Sequence, residues 1–194
     1  MHKQVEDATA DEALVKAILN GDQGAFRLLI DRYQNLVIHI VYRMVNLQHD
    51  REDLCQEVFL KVYDNLGGFR FNAKLSTWIG SIAYNACINF LRKKRIILTE
   101  VNEDYEEDGP SNVLLNQPDA APQPDELLMM REKHRQLWQY VDELPPIQQT
   151  ILVLFHKQEM QMDEIAGIMN LPIGTVKSYL HRARQKLKSR LSVN

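Results

Sequence analysis

Cysteine is nearly absent: Cys55 and Cys87 are the only two in 194 residues, and they have no CxxC spacing. That excludes a disulfide-stapled secreted scaffold and a four-cysteine zinc site. Both thiols fall inside helical patterns and read as reduced core residues of a cytoplasmic protein rather than as a redox switch. The six histidines are scattered, with no pair spaced to hold a metal. No apolar run reaches the length of a membrane span, and the opening "MHKQVEDATADEA" is polar and acidic, unlike a signal peptide, so no membrane insertion is expected. No window alternates as a strand does, and no internal repeat stands out. A nucleophile–base pair and a phosphate loop are also missing, so the chain is not expected to be an enzyme or to carry a cofactor or metal.

Charge of one sign is missing in two places, and together these organise the chain. From Ile96 to Met130 there are nine acidic residues and no basic one. Without that stretch the remaining sequence holds 23 basic against 17 acidic residues, and residues 131–194 alone hold ten against six. The net charge of −3 therefore averages one acidic segment with two basic bodies. The acidic stretch also contains Gly109, Pro110, Pro118, Pro122 and Pro124. High charge, repeated proline and few apolar side chains cannot bury enough surface to offset ordering, so it reads as a flexible, protease-sensitive linker. The expected organisation is all-α: a small helical domain over 1–95, an acidic linker over 96–124 and a second small helical domain over 125–194. Each body is expected to fold alone.

What is present is helical period. "DEALVKAILNGD" is a short helix stopped by Gly21. "AFRLLIDRYQNLVIHIVYRMV" turns Phe26, Leu29, Ile30, Tyr33, Val37, Ile40, Val41 and Met44 inward. "DREDLCQEVFLKVYDNL" buries Leu54, Val58, Val62 and Leu66, with Asp50 and Glu52 in cap and first-turn positions. "LSTWIGSIAYNACINFLRKKR" follows an irregular "GGFRFNAK" and ends in four consecutive basic residues, and "DELLMMREKHRQLWQYVDEL" and "IQQTILVLFHK" open the second body.

The second body closes on "MDEIAGIMNLPIGTVKSYLHRARQKLKSRL". Its last helix has an apolar stripe of Val176, Leu180, Ala183, Leu187 and Leu191, six basic residues and no acidic ones. Pro172 suits a helix start, Asn170 tolerates the left-handed turn before it, and Ala166 is small where two steeply crossing helices touch. Ile165, Ile168 and Met169 face inward on the preceding short helix. Two helices, a tight turn and a basic second helix read as a helix-turn-helix.

Three stretches in this order resemble one family. "DREDLCQEVFLKVYDNLGGF", "STWIGSIAYNACINFLRKKR" and "LPPIQQTILVLF…MDEIAGIMNLPIGTVKSYLHRARQKL" are similar to the extracytoplasmic-function sigma factors of bacterial RNA polymerase, within the sigma-70 family. The resemblance spans all but the first ten residues and the linker. It implies regions 2.1 to 2.4 in the first domain and region 4, with the helix-turn-helix, in the second. The function implied is that of an alternative sigma factor, which binds core RNA polymerase and directs promoter-specific initiation. Its partners would be the β′ clamp helices and β flap of core polymerase, promoter DNA and an anti-sigma factor. Gln161 stands where Ser or Thr usually caps the first helix of the pair, a weaker cap by about 1 kcal/mol, and Asn170 replaces the commoner turn glycine. Asn89 stands where an acidic residue is frequent, which bears on promoter choice.

By the same resemblance, the polar face Asp53, Gln56, Glu57, Lys61 and Asp64 docks on the clamp coiled coil, where carboxylates meet arginines. The loop from Arg70 to Ser76, with Phe71, Asn72 and Lys74, captures a flipped base of the minus-ten element. Trp78 and Asn85 support strand opening, and Arg92 and Lys93, with the rest of the run to Arg95, hold the backbone. Interleaved aromatic and basic residues suit single-stranded DNA in their own right; Phe69, Phe71 and Trp78 also suit a core, and for Phe69 the two readings weigh equally. Lys177, Ser178, His181 and Arg182 meet the minus-thirty-five element, and Thr175 reaches a phosphate. The competing class, a stand-alone helix-turn-helix regulator, accounts for the C-terminus but gives no purpose to the clamp-docking face or the aromatic-basic stretch.

Overall fold

The computed structural model describes the backbone of residues 2–101 and 125–192 and the side chains of 9–95 and 134–192. Among the described residues eight α-helices run in order: α1 His2–Leu19, α2 Gln23–Met44, α3 Gln48–Asn65, α4 Leu75–Val101, α5 Asp125–Asp142, α6 Pro146–His156, α7 Met162–Met169 and α8 Ile173–Leu191. A 3₁₀ turn, Leu66–Gly68, follows α3, and there is no strand among the described residues. The all-α expectation holds. Helix α4 continues to Val101, and the linker residues 102–124 lie outside the described residues.

The periods resolve into packed faces. In α2, Leu29, Tyr33, Val37, Ile40, Val41 and Met44 are buried, along with Ala25 and Leu36, and Asp22 caps the helix by accepting from the Ala25 N–H at 3.1 Å. Phe26 and Ile30 are only half-buried. Gly21, at φ +91°, turns the chain between α1 and α2. The start of α3 differs from expectation: Leu47 is its N-cap, with no side-chain hydrogen bond, and Asp50 instead reaches across to Lys94 at 3.0 Å. Arg51 holds the α2–α3 corner, donating to the carbonyls of Val45 (2.6 Å) and Tyr42 (3.3 Å) and lying over the Tyr42 ring. Burial and the nearby Arg43 lower its pKa, against opposing contributions from Tyr42 and Asp142.

In the second body, Val176, Leu180, Ala183 and Leu187 are buried as the stripe required, whereas Leu191, at the frayed end of α8, is 48% exposed. Asn170 has φ 51° and ψ 46°, the left-handed conformation expected of it. The cap of α7 is stronger than Gln161 alone suggests, because Glu164 accepts from the Gln161 N–H at 2.8 Å and completes a capping box.

Most of the apolar interior forms one cluster. Buried residues of α1 to α4 share it with Ile151 and Leu154 of α6, Met160, Ile165, Ile168 and Met169 of α7 and its approach, and Val176 and Leu180 of α8. Helix α6 lies on α2, and α7 lies on α4. A smaller cluster of Val141, Leu144, Leu152, Ala183 and Leu187 joins α5, α6 and α8 on the far side.

Candidate polymerase and nucleic-acid interface

The outer face of α3 carries Asp53, Gln56 and Glu57, all exposed, with Lys61 half-buried beside them. Glu57 pairs with Lys61 at 2.6 Å, and His49 approaches Asp53 at 3.3 Å. These are one-turn surface pairs, worth a few tenths of a kcal/mol (about 0.3–0.5) and readily exchanged for partners on another molecule. Two apolar side chains interrupt this polar face: Leu60, 65% exposed, and Tyr63, 53% exposed. Sequence reasoning passed over both. The available signal was a leucine three and four residues after Glu57 and Gln56, on the polar side of the helical period.

Between α3 and α4 a cavity of about 300 Å³ is lined by Lys61, Asn65, Trp78, Ile82, Asn85, Ala86 and Asn89. Trp78 and Asn85, singled out from the sequence, thus sit in one hollow. Asn65, Ile82 and Asn89 join them only because the two helices pack side by side. A chain of rings runs on from Trp78: Phe69 stacks 5.0 Å from Trp78, and Phe71 lies 4.6 Å from Phe69. Phe69 is core, only 8% exposed, whereas Phe71 is 43% exposed. Phe71 has φ +57°. A bulky side chain in the left-handed region is strained by roughly 1–3 kcal/mol, held here by the surrounding loop.

Around this hollow Arg70, Asn72 and Lys74 are exposed and Ser76 is half-buried in the first turn of α4. Lys74 pairs with Glu164 of α7 at 2.7 Å. Further along α4, Arg92 donates to Asn89 at 3.2 Å and Lys93 is exposed, but Lys94 turns back to Asp50. The basic run is therefore divided, with Arg92 and Lys93 exposed and Lys94 turned inward. Burial raises the Cys55 pKa to about 11 and the Cys87 pKa to about 12, so neither is a ready thiolate, in keeping with a core role.

On α8, Lys177, Ser178, His181 and Arg182 point outward together, and Thr175 is half-buried at the helix start. The Ser178 hydroxyl donates to the Gly174 carbonyl at 2.9 Å, leaving its oxygen as an outward acceptor. His181 lies 3.3 Å from Gln185, while Arg182 has no partner among the described residues. Pro172 serves as the N-cap, one residue before the helix proper, and the amides of Thr175 and Val176 bond to its carbonyl at 2.9 and 3.2 Å. The inner stripe fixes the roll of the helix, so these four side chains share one outward face.

The chain matches the sigma-70 region 2 family over residues 29–96 and the sigma-70 region 4 family over 134–187. It is 33% identical over 179 residues, 91% of this chain and 94% of the relative, to the ECF RNA polymerase sigma factor SigW of Bacillus subtilis. To the ECF RNA polymerase sigma-E factor of Escherichia coli K12 it is 31% identical over 193 residues, covering 96% and 97%. Its fold is similar to that of CnrH in complex with the cytosolic domain of CnrY (TM-score 0.63, 18% identity, 95% and 99% covered). It is also similar to the sigma factor RpoE from Bartonella quintana in complex with the anti-sigma factor NepR (TM-score 0.68, 18% identity, 87% and 98% covered). Two family models that together match over half of the chain, and relatives of this identity over nearly its whole length, show that the chain belongs to the ECF RNA polymerase sigma factors.

Proposed function

We propose that this sigma factor binds core RNA polymerase through the α3 face of Asp53, Gln56, Glu57 and Lys61, with Leu60 and Tyr63 at its centre. Charged groups on a docking face set register and partner choice, while a buried apolar anchor supplies most of the hold. The first domain, residues 1–95, then opens and reads the minus-ten element. The second, residues 125–194, reads the minus-thirty-five element through Lys177, Ser178, His181 and Arg182, with Thr175 on a phosphate. The segment 96–124 tethers them. Two solved structures of this fold, CnrH with the cytosolic domain of CnrY and RpoE with the anti-sigma factor NepR, are complexes with a second protein, which supports control by an anti-sigma factor here as well.

The observation that carries this reading is the hollow lined by Trp78, Asn85 and Asn89, with Phe69 against Trp78 and the exposed Phe71 against Phe69. A regulator of duplex DNA needs no such feature. An opened strand needs a ring to stack on and a polar pocket for the extruded base, and stacking contributes about 1–3 kcal/mol per base. Asn85 and Asn89 offer amide donors and acceptors to a base edge, while Arg70, Arg92 and Lys93 are placed for phosphates.

Trp78→Ala tests it. Binding to an upstream-element duplex should survive while permanganate-detected opening at the minus-ten element falls, and a template already melted there should recover most of the activity. Loss of the helical circular-dichroism signal together with core binding, with no recovery on melted template, would show that Trp78 is only core.

A further inference from the structure

The entrance of α8 carries two features that the packing of the second domain does not call for. Ile173, the first residue of the helix, is 44% exposed. Among the described residues of that domain the other exposed large apolar side chain is Leu191, at the last position of the same helix. Fraying accounts for Leu191 but not for Ile173, which leaves apolar surface in water at a well-formed helix start. Lys177 follows Ile173 at a spacing of four and His181 at a spacing of eight. On a helix that spacing keeps residues on one side, so Ile173 extends the outward polar face to its N-terminal edge.

The second feature is Gly174, exposed and inside the helix. It is not among the residues with positive φ, so no backbone conformation demands a glycine. A Cβ built on it would have nothing within 4 Å, so no neighbour in the fold demands one either. Gly80 of α4 shows the ordinary case, since a Cβ there would lie 2.7 Å from Ile168 Cδ1. Glycine inside a helix is destabilising relative to alanine. On an outward face it offers one thing in exchange, which is closer approach of another molecule to the helix backbone.

These two neighbours suit the same target. The major groove is about 12 Å wide and a helix with its side chains is about 10–12 Å across, so clearance is small. The first turn of a recognition helix is the part that meets base edges there. Those edges are lined with polar donors and acceptors, none of which an isoleucine can satisfy. The apolar group among them is the C5 methyl of thymine.

We propose that Ile173 is a specificity residue that packs on one thymine methyl of the minus-thirty-five element, and that Gly174 lets α8 sit close enough for that contact, a role that rests on the reading of α8 given above. Lys177, Ser178, His181 and Arg182 discriminate through donors and acceptors. Ile173 adds a different kind of discrimination: a methyl distinguishes thymine from cytosine, and it marks which strand of an A·T pair carries the pyrimidine.

The test uses the full chain with core polymerase on a promoter located by mapping transcript starts. Each thymine of the upstream element, on either strand, is replaced singly by deoxyuridine, which removes the methyl and keeps every hydrogen-bonding group. One replacement should weaken promoter binding about fourfold, the equivalent of one buried methyl group. Ile173→Ala should lose at least as much on the thymine promoter and nothing further on the deoxyuridine one, with an unchanged melting temperature. Gly174→Ala should melt no lower than the parent, because alanine is the better helix former, yet bind about fivefold or more weakly. A purely structural glycine would move stability and binding in the same direction. If no single replacement weakens binding, or if Ile173→Ala stays as sensitive to replacement as the parent, the thymine contact is refuted. Equal losses by Ile173→Ala on every template would assign the side chain to a protein contact and overturn the proposal. Undiminished binding by Gly174→Ala would refute the close approach. A parent chain that directs core polymerase to no promoter would count against the initiation role itself, and the proposal would fall with it.

Discussion

The two surfaces proposed to meet DNA are built on opposite plans. On α8 the proposed reading residues are polar side chains on the outside of the helix, with the apolar stripe of Val176, Leu180, Ala183 and Leu187 supplying only its orientation. Around α4 the surface is carved: two helices leave a hollow with Trp78 in its wall, Phe69 and Phe71 continue the chain of rings from it, and Phe71 sits on strained backbone. A duplex already displays its base edges in the major groove, so a rod of the right width and roll is sufficient to read them. A single strand displays nothing until it has been unstacked, so the protein must supply a substitute for the lost neighbour. The contrast shows that the state of the DNA, more than its sequence, determines how much tertiary structure a reader needs.

The sharpest way to break this comparison is at the rings. Phe71→Gly removes one ring and relieves the left-handed strain together, so the folded domain should be no less stable while opening at the minus-ten element falls by the equivalent of about 1–3 kcal/mol, roughly 5- to 150-fold. Parallel permanganate footprints and thermal melts check this, and a melt that falls with the opening would mean that the ring serves the fold. On the rod, Arg182→Ala should relax preference at one or two base pairs of the upstream element, costing about 1–3 kcal/mol there and little elsewhere. Lys188→Ala should weaken binding evenly across sequences and lower the slope of log affinity against log salt by about one. Equal, sequence-independent losses from both would show that α8 grips without reading.

A smaller effect tests the surface that joins the two plans. Burial, with Lys157 and Arg43 nearby, lowers the His39 pKa from 6.5 to about 4. The closed fold therefore binds fewer protons there than an opened or unfolded chain. Its stabilising contribution is full above pH 6.5 and is lost as pH falls from 6.5 toward about 4. His39→Gln should flatten that part of a melting-temperature profile.

Much of this was legible in the residues, and the parts that were not share a physical reason. Periodicity identified every helix that carries a site, and composition located the acidic segment. The left-handed Asn170 followed from side-chain chemistry alone. Local pattern, however, says that a face is buried without saying against what. Ile165, Ile168 and Met169 read correctly as inward, yet nothing in their spacing distinguishes packing under α8 from packing on α4. The Leu47 cap and the diversion of Asp50 to Lys94 likewise depend on a neighbour 44 residues away. The hollow of Asn65, Ile82 and Asn89 exists only between two helices, so no single-helix pattern contains it.

Arg43 pairs with Asp142, 99 residues further along the chain. At ribosomal rates of about 5–20 residues per second, the arginine waits roughly 5–20 s for its partner to be synthesised. Throughout that interval the inner face of the first domain has no cover of its own making. Each newly made molecule therefore passes once through a state in which another protein can reach that face without having to displace anything.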